Sequence, residues 1–303
     1  MLTQAIDDYL AIRRAAGFRL AVTEALLRNY ARFAAERSET LVRSETVLAW
    51  AARAPSPPQR GRRLEVLSIF ARHVHAEDPR HEIPPKGVFP ACRPPYTPFI
   101  YTQAQIGALL ARAAQLPPAG SLRPWTYCTL FALLAVTGLR VSEALNLHFD
   151  DVTADGLLIR ETKFHKSRRV PLHPSAQAGL ERYLERRRKL GGGDDHVFIS
   201  LRRRVLSYPV VVATFLAILR AIGLHPGPGL RGPRLHDLRH TWAVRALEVC
   251  PPGYEQVGQN ILAVATYLGH AKLASTYAYL HTTPQLLATI ADQCERLGQG
   301  DEP

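Results

Sequence analysis

Seven prolines fall within residues 78–98, "DPRHEIPPKGVFPACRPPYTP". Proline has a fixed φ and no N–H to give, so neither a helix nor a sheet ladder runs through such a stretch. It divides the chain into about 80 residues before it and about 200 after it, each of which must build its own core. We read 1–80 as one domain, 81–100 as a proline-rich linker and 101–303 as a second domain.

Both parts have the patterning for a core. Hydrophobic residues make up 47% of the chain, an ordinary share for a globular protein. Before the prolines, "AIDDYLAIRRA" and "ALLRNYARFAAE" repeat apolar residues at steps of three and four, which places them on one helical face. "SETVLAWAAR" continues the pattern with Ser44 as its expected N-cap. "APSPPQRGRR" (54–63) then interrupts it and sets Arg60, Arg62 and Arg63 near the start of "LEVLSIFARHVHA". A helix N-terminus attracts phosphate, so these arginines are candidates for an anionic backbone, with a solvated loop as the alternative.

After the prolines the chain mixes helices with short strands. "TQAQIGALLARAAQL" carries a capping box, Thr102 with Gln105 three residues on. "WTYCTLFALLAVTG" reads as a buried helix; it is too short for a membrane span, which needs about 18 apolar residues. Short strands are expected around 150–154, 157–163 and 168–173, and again in "HVFIS". An amphipathic helix, "SAQAGLERYLERRRKL", lies between, and helices dominate from 236 onward. The expected fold is mainly α with a small antiparallel β-sheet.

The 38 Lys and Arg against 26 Asp and Glu leave +12 at pH 7, which favours a polyanionic partner. Cys92, Cys128, Cys250 and Cys294 show no C-x-x-C spacing, so neither a zinc knuckle nor a disulfide framework is indicated, and a reducing cytoplasm is the simplest home. The first residues, "MLTQAIDDYLAIRRAAGF", lack the apolar core of a signal peptide.

Four segments carry chemistry. In "TGLRVSEALNL" (137–147), Arg140 and Glu143 share a helical face; alone they would be a surface ion pair of little worth. "LIRETKFHKSRRVPLH" (158–173) reads as a hairpin with Lys163 at a strand end, Lys166 in the turn and Arg168 just beyond. In "LHDLRHTWAVRAL" (235–247), His236, Arg239 and His240 can face one way. An H-x-x-x-H pair suits zinc, with Asp237 where such hydrolases carry Glu, but Arg239 beside it is a poor neighbour for a dication and suits a phosphate instead. In "YLGHAKLASTYAYLHTTP" (267–284), His270 follows a helix break, and Tyr277 and Tyr279 stand two apart. A step of two turns a helix by about 200°, so those tyrosines face opposite sides.

Together, in the order Arg, Lys, His-x-x-Arg, His, Tyr, these segments resemble the tyrosine recombinase (phage integrase) family, which includes the Xer-type and mobile-element site-specific recombinases. The resemblance is strong over 101–290 and weak over 1–78. It implies a helical SAM-like core-binding domain that clamps DNA, followed by a mixed α/β catalytic domain. It implies cleavage and rejoining of DNA strands without metal, ATP or another cofactor. It makes Tyr279 the nucleophile, nine residues after the histidine of "LGH", and leaves Tyr277 to packing. Arg140, Arg239, His236 and His270 would handle the phosphate and the tyrosine proton. Lys163, or Lys166 if the turn differs in length, would protonate the leaving oxygen, and Glu143 would orient Arg140. Arg60, Arg62, Arg63, Lys166 and Arg168 are the expected DNA contacts. Double-stranded DNA and a homo- or hetero-tetramer of recombinases are the expected partners, with no membrane, and the chain is expected in the cytoplasm at the nucleoid. "TPQLLATIADQCERL" (283–297) would be a helix that docks on a neighbour or on its own domain. Two readings of the same fold stand beside this one: an idle DNA-binding regulator, and a type IB topoisomerase-like enzyme that relaxes DNA.

Overall fold

The computed structural model describes residues 2–18, 20–89, 97–160, 167–190, 194–227, 232–249 and 254–269, the side chains of 254–257 aside. The chain divides into two compact units, 1–96 and 97–303.

The first unit holds four helices: α1 (Leu2–Ala15), α2 (Ala21–Ala35), α3 (Ser44–Ala52) and α4 (Pro57–Glu77). The apolar faces read from the sequence meet in one core that includes Ile6, Leu10, Leu27, Tyr30, Trp50, Leu67 and Phe70. Tyr30 and Trp50 pack edge to face with centroids 5.6 Å apart, and the Trp50 indole N–H donates to Asn29 at 2.8 Å. Ser44 is not the N-cap. Arg43 holds that position without a side-chain bond, and the Ser44 N–H is taken instead by the Glu82 carboxylate at 2.8 Å. Glu82 also accepts from Arg43 at 3.0 Å, the Val42 N–H donates to the His81 ring at 2.9 Å, and Phe89 packs on the core. Residues 81–89, at the head of the proline-rich stretch, therefore lie on the first unit.

α4 starts six residues before the end of the interruption expected at 54–63. Pro57 and Pro58 occupy its first turn, where a missing N–H costs nothing. Arg60, Arg62 and Arg63 thus sit on the helix itself. Arg60 donates to the Ala54 carbonyl at 2.9 Å. Arg63 donates to the Trp50 carbonyl at 2.9 Å and lies over the Trp50 ring. Arg62 is exposed.

The second unit begins with α5 (Gln103–Ala113), and both bonds of its Thr102–Gln105 capping box are present. The buried helix follows as α6 (Leu122–Thr137), then the short α7 (Val141–Leu145). A three-stranded antiparallel sheet comes next, in the order β1 (Val152–Thr153), β2 (Gly156–Ile159), β3 (Arg168–Val170). Leu157 pairs with Val170 and Ile159 with Arg168. Gly156 has φ +116°, and an added Cβ would lie 2.3 Å from the Val170 carbonyl oxygen, so no other residue fits there. "HVFIS" does not form a strand; it makes single bridges, His148 to His196 and Ile199 to Val205. The helices α8 (Pro174–Lys189), α9 (Tyr208–Ala221), α10 (Asp237–Glu248) and α11 (Tyr254–Leu268) complete the described part. α6 lies at the centre: Leu130, Phe131 and Leu134 contribute to a core shared with Leu109, Tyr183, Phe198 and Phe215. A second cluster joins α10 to α11 through Val244, Leu247, Ile261, Val264 and Leu268. No described helix is long and apolar enough to cross a membrane.

Candidate active site

The site forms where α6, α7, β3, α10 and α11 end or begin. α6 stops at Gly138, which has φ +60°. A Cβ there would come within 2.9 Å of the Trp242 ring of α10, so glycine is required both by the backbone and by the close approach of α10. The Thr137 hydroxyl donates to the Leu133 carbonyl at 2.6 Å and accepts from the Leu139 N–H at 3.3 Å. This closes the turn and places Arg140 at the head of α7.

Arg140 and Glu143 are no surface pair. The Glu143 side chain is 7% exposed. It accepts from the Arg140 backbone N–H at 3.0 Å and from the Arg140 guanidinium at 2.7 Å. It also accepts two bonds from Arg168, at 3.1 and 2.8 Å. Burial alone would raise the Glu143 carboxyl, but the bonds and charge of Arg168, and then those of Arg140, outweigh it and hold its pKa below the usual value. Arg168, expected at the DNA, is turned inward, with its side chain 14% exposed.

The arginines converge on the last turn of α11. A helix end leaves carbonyls without intrahelical partners and carries partial negative charge. Arg168 donates to the Tyr267 carbonyl at 2.8 Å. Arg239 donates to Leu268 at 2.7 Å. Arg140 donates to Gly269 at 3.1 Å. Three consecutive carbonyls are thus capped by arginines from three segments separated by up to 99 residues. Arg239 is buried and bonds the Gly138 carbonyl too, at 2.7 Å, so it ties the end of α6 to the end of α11. The Trp242 and Tyr267 rings stack at 4.4 Å and brace the same junction. Burial pushes the Tyr267 hydroxyl up to about 12, which keeps it neutral.

His236 stands just before α10, its ring edge-on to His240 at 4.9 Å. The residue keeps an exposed edge, yet the protein packed around its ring, followed by the charges of Arg239, Arg140 and Arg234, pushes its pKa down to about 4. It is therefore a neutral imidazole at pH 7, able to accept a hydrogen bond. α10 is anchored from behind: buried Asp237 accepts from the Arg234 N–H at 2.7 Å, and the Thr241 hydroxyl accepts from the Tyr101 N–H at 3.0 Å. The described residues hold one group of three metal-capable side chains, His148, Asp195 and His196; it is not on α10.

Of the expected site residues, Arg140, Glu143, His236 and Arg239 come together here. Lys163, Lys166, His270, Tyr277, Tyr279 and the helix expected at 283–297 lie outside the described residues. The inward role of Arg168 and the bracing pair Trp242 and Tyr267 were not foreseen. A glycine directly after a buried helix was the available signal for a tight crossing at Gly138; nothing local marks Arg168, whose partners are 25 and 99 residues away.

Residues 100–285 match the model of the phage integrase family. A Sinorhizobium fredii protein named as the integrase/recombinase y4rB is 38% identical over 304 residues, 97% of this chain and 96% of that protein. The tyrosine recombinase XerD of Brucella abortus is 28% identical over 263 residues, 82% of this chain and 79% of XerD. The Tn1549 transposon integrase, solved in complex with circular intermediate DNA, superposes with a TM-score of 0.67 over 98% of this chain and 99% of that one, at 16% identity, a likeness of fold. The chain belongs to the phage integrase family, the tyrosine-type site-specific recombinases.

Proposed function

We propose that this recombinase breaks and rejoins double-stranded DNA through a 3′-phosphotyrosyl link on Tyr279. The observation that carries the reading is the meeting of Arg140 and Arg239 at the end of α11 with neutral His236 within reach of both charges. A phosphodiester under attack gains charge on its non-bridging oxygens, and two fixed guanidiniums supply several kcal/mol of stabilisation where that charge develops. The Tyr279 oxygen attacks phosphorus, its proton passes toward His236, and the bond to the 5′-oxygen breaks. Lys163, or Lys166, protonates that oxygen. His270, next in sequence to Gly269, donates to a non-bridging oxygen. The link keeps the energy of the broken bond, so the 5′-hydroxyl of a partner strand can reverse the attack. A phenol titrates near 10, so the cationic surroundings are needed to make the tyrosine reactive at neutral pH. Exchange between two duplexes involves four strands, which supports four subunits acting together.

Covalent trapping tests this. The full chain is incubated with nicked duplexes drawn from the DNA flanking its gene, and a protein–DNA adduct is sought under denaturing conditions. We expect an adduct from the parent protein and from Tyr277→Phe, and none from Tyr279→Phe. Loss in Tyr277→Phe alone would move the nucleophile. Tight binding across a broad DNA library with no adduct would favour the idle regulator.

A further inference from the structure

We propose that Arg168 is a positioning residue which sets the geometry of the cleavage site, and that it is not a contact to DNA phosphate; this rests on the function proposed above. Every nitrogen of its guanidinium is engaged inside the protein. Two donate side by side to the two oxygens of Glu143, and Nε donates on the opposite side to the Tyr267 carbonyl. The three residues belong to β3, α7 and α11, so one side chain ties three elements that the backbone connects only through long detours.

Each tie leads to a reacting group. Glu143 holds Arg140 by its backbone and its guanidinium, so a displaced Glu143 displaces Arg140. Tyr267 is two residues before Gly269, whose carbonyl accepts from Arg140. Gly269 lies directly over Arg168: an added Cβ would stand 3.0 Å from its Nη1. A side chain at 269 would crowd the guanidinium, and the φ of +65° there also favours glycine, so Arg168 packs closely on the backbone that ends α11. Arg168 also pairs with Ile159 across β2 and β3, so the strand that carries it follows the Lys163–Lys166 segment in the sequence.

The chemistry of the side chain decides between the two roles. A planar guanidinium spans a carboxylate with two parallel bonds and reaches a third acceptor from its other edge, while an ammonium has one point of charge. To meet a phosphate, Arg168 would have to abandon a carboxylate that is 7% exposed, leaving it buried with one partner fewer.

Arg168→Ala and Arg168→Lys in the full chain distinguish the roles. For each, DNA affinity is measured across a salt series, and the adduct-forming rate is measured at saturating DNA. For a positioning residue we expect an affinity within about threefold of the parent and an unchanged salt slope. The saturated rate should fall about 10- to 100-fold, as misplacement of reacting groups does, with little recovery in Arg168→Lys. Combined with Glu143→Gln the losses should not add. An affinity loss of about tenfold with a salt slope lower by about one, and a saturated rate within twofold of the parent, would assign Arg168 to a phosphate and overturn the proposal. Hydrogen exchange on the DNA-free protein supplies a readout that needs no activity. Arg168→Ala should speed exchange at 266–269 about tenfold or more while α8 keeps its rates; unchanged rates at 266–269 would overturn the proposal. If Arg168→Ala fails to fold, Arg168→Lys carries both measurements. A parent protein that forms no adduct would defeat the proposed function alone, and the exchange result would still decide the role of Arg168.

Discussion

Glu143 and His236 show how single residues here take their properties from several elements at once. Glu143 is buried between two guanidiniums. Removing it leaves both positive charges facing each other without their shared carboxylate, and breaking a buried pair in this way costs about 3 kcal/mol or more. Glu143→Ala should lose about that much in urea unfolding, and Glu143→Gln less. A loss near zero would mean that the arginines re-pair elsewhere. His236 makes the opposite prediction about protons. Its folded pKa of about 4 lies below the unfolded value near 6.5. The unfolded chain therefore binds more protons between these values, so the contribution of a neutral His236 to stability is complete above about pH 6.5 and is lost as pH falls toward 4. His236→Gln, which cannot protonate, should reduce the stability lost across that window. In an NMR titration of the free protein, His236 should change state well below pH 6; a midpoint at 6.5 or above would contradict the neutral acceptor assigned to it. DNA phosphate beside the ring should move that midpoint up.

At the scale of elements, the turn between α6 and α7 decides where Arg140 and Arg239 meet. Gly138→Ala would force a Cβ into the Trp242 ring at a positive φ and disturb the carbonyl that Arg239 holds. We expect about 2 kcal/mol of destabilisation, read by thermal melting, together with a loss of adduct formation larger than the stability change explains. A variant that melts and cleaves like the parent would show that α10 can retreat. The same scale explains what could be read beforehand. The capping box of α5 was legible because both partners, Thr102 and Gln105, lie three residues apart in the chain. The cap of α3 was not, because the carboxylate that serves it is Glu82, 38 residues on. The amphipathic α8 beside the small sheet followed from periodicity, whereas "HVFIS" carried strand-forming residues but makes only isolated bridges to distant residues. The motif order singled out Arg140, Glu143, His236 and Arg239, which lie together in the fold. Arg168 was expected at the DNA; its Glu143 and Tyr267 partners are long-range, so nothing near it in the chain announced them.

For the whole molecule, the surplus of positive charge bears on binding. Several arginines are already paired on the surface, among them Arg28 with Asp7 and Glu24, Arg43 with Glu82, and Arg80 with Asp78. The net +12 is what remains for a polyanion. If it neutralises about six to ten phosphates, affinity for duplex DNA should drop about 10³- to 10⁵-fold between 50 and 200 mM salt. The arginines of α4 divide within that total. Arg62 is exposed, while Arg60 and Arg63 spend donors on the Ala54 and Trp50 carbonyls that close the turn into α4. Arg62→Ala should therefore lower the logarithmic salt slope by about one with little change in stability. Arg63→Ala strips a carbonyl bond and the cover of the Trp50 ring, and should cost about 1 kcal/mol of stability with a smaller effect on the slope. Equal slope changes for all three would mean that the first unit meets DNA along the whole start of α4. A slope lost only with Arg60 and Arg63 would mean that binding breaks the turn that these residues close in the free protein.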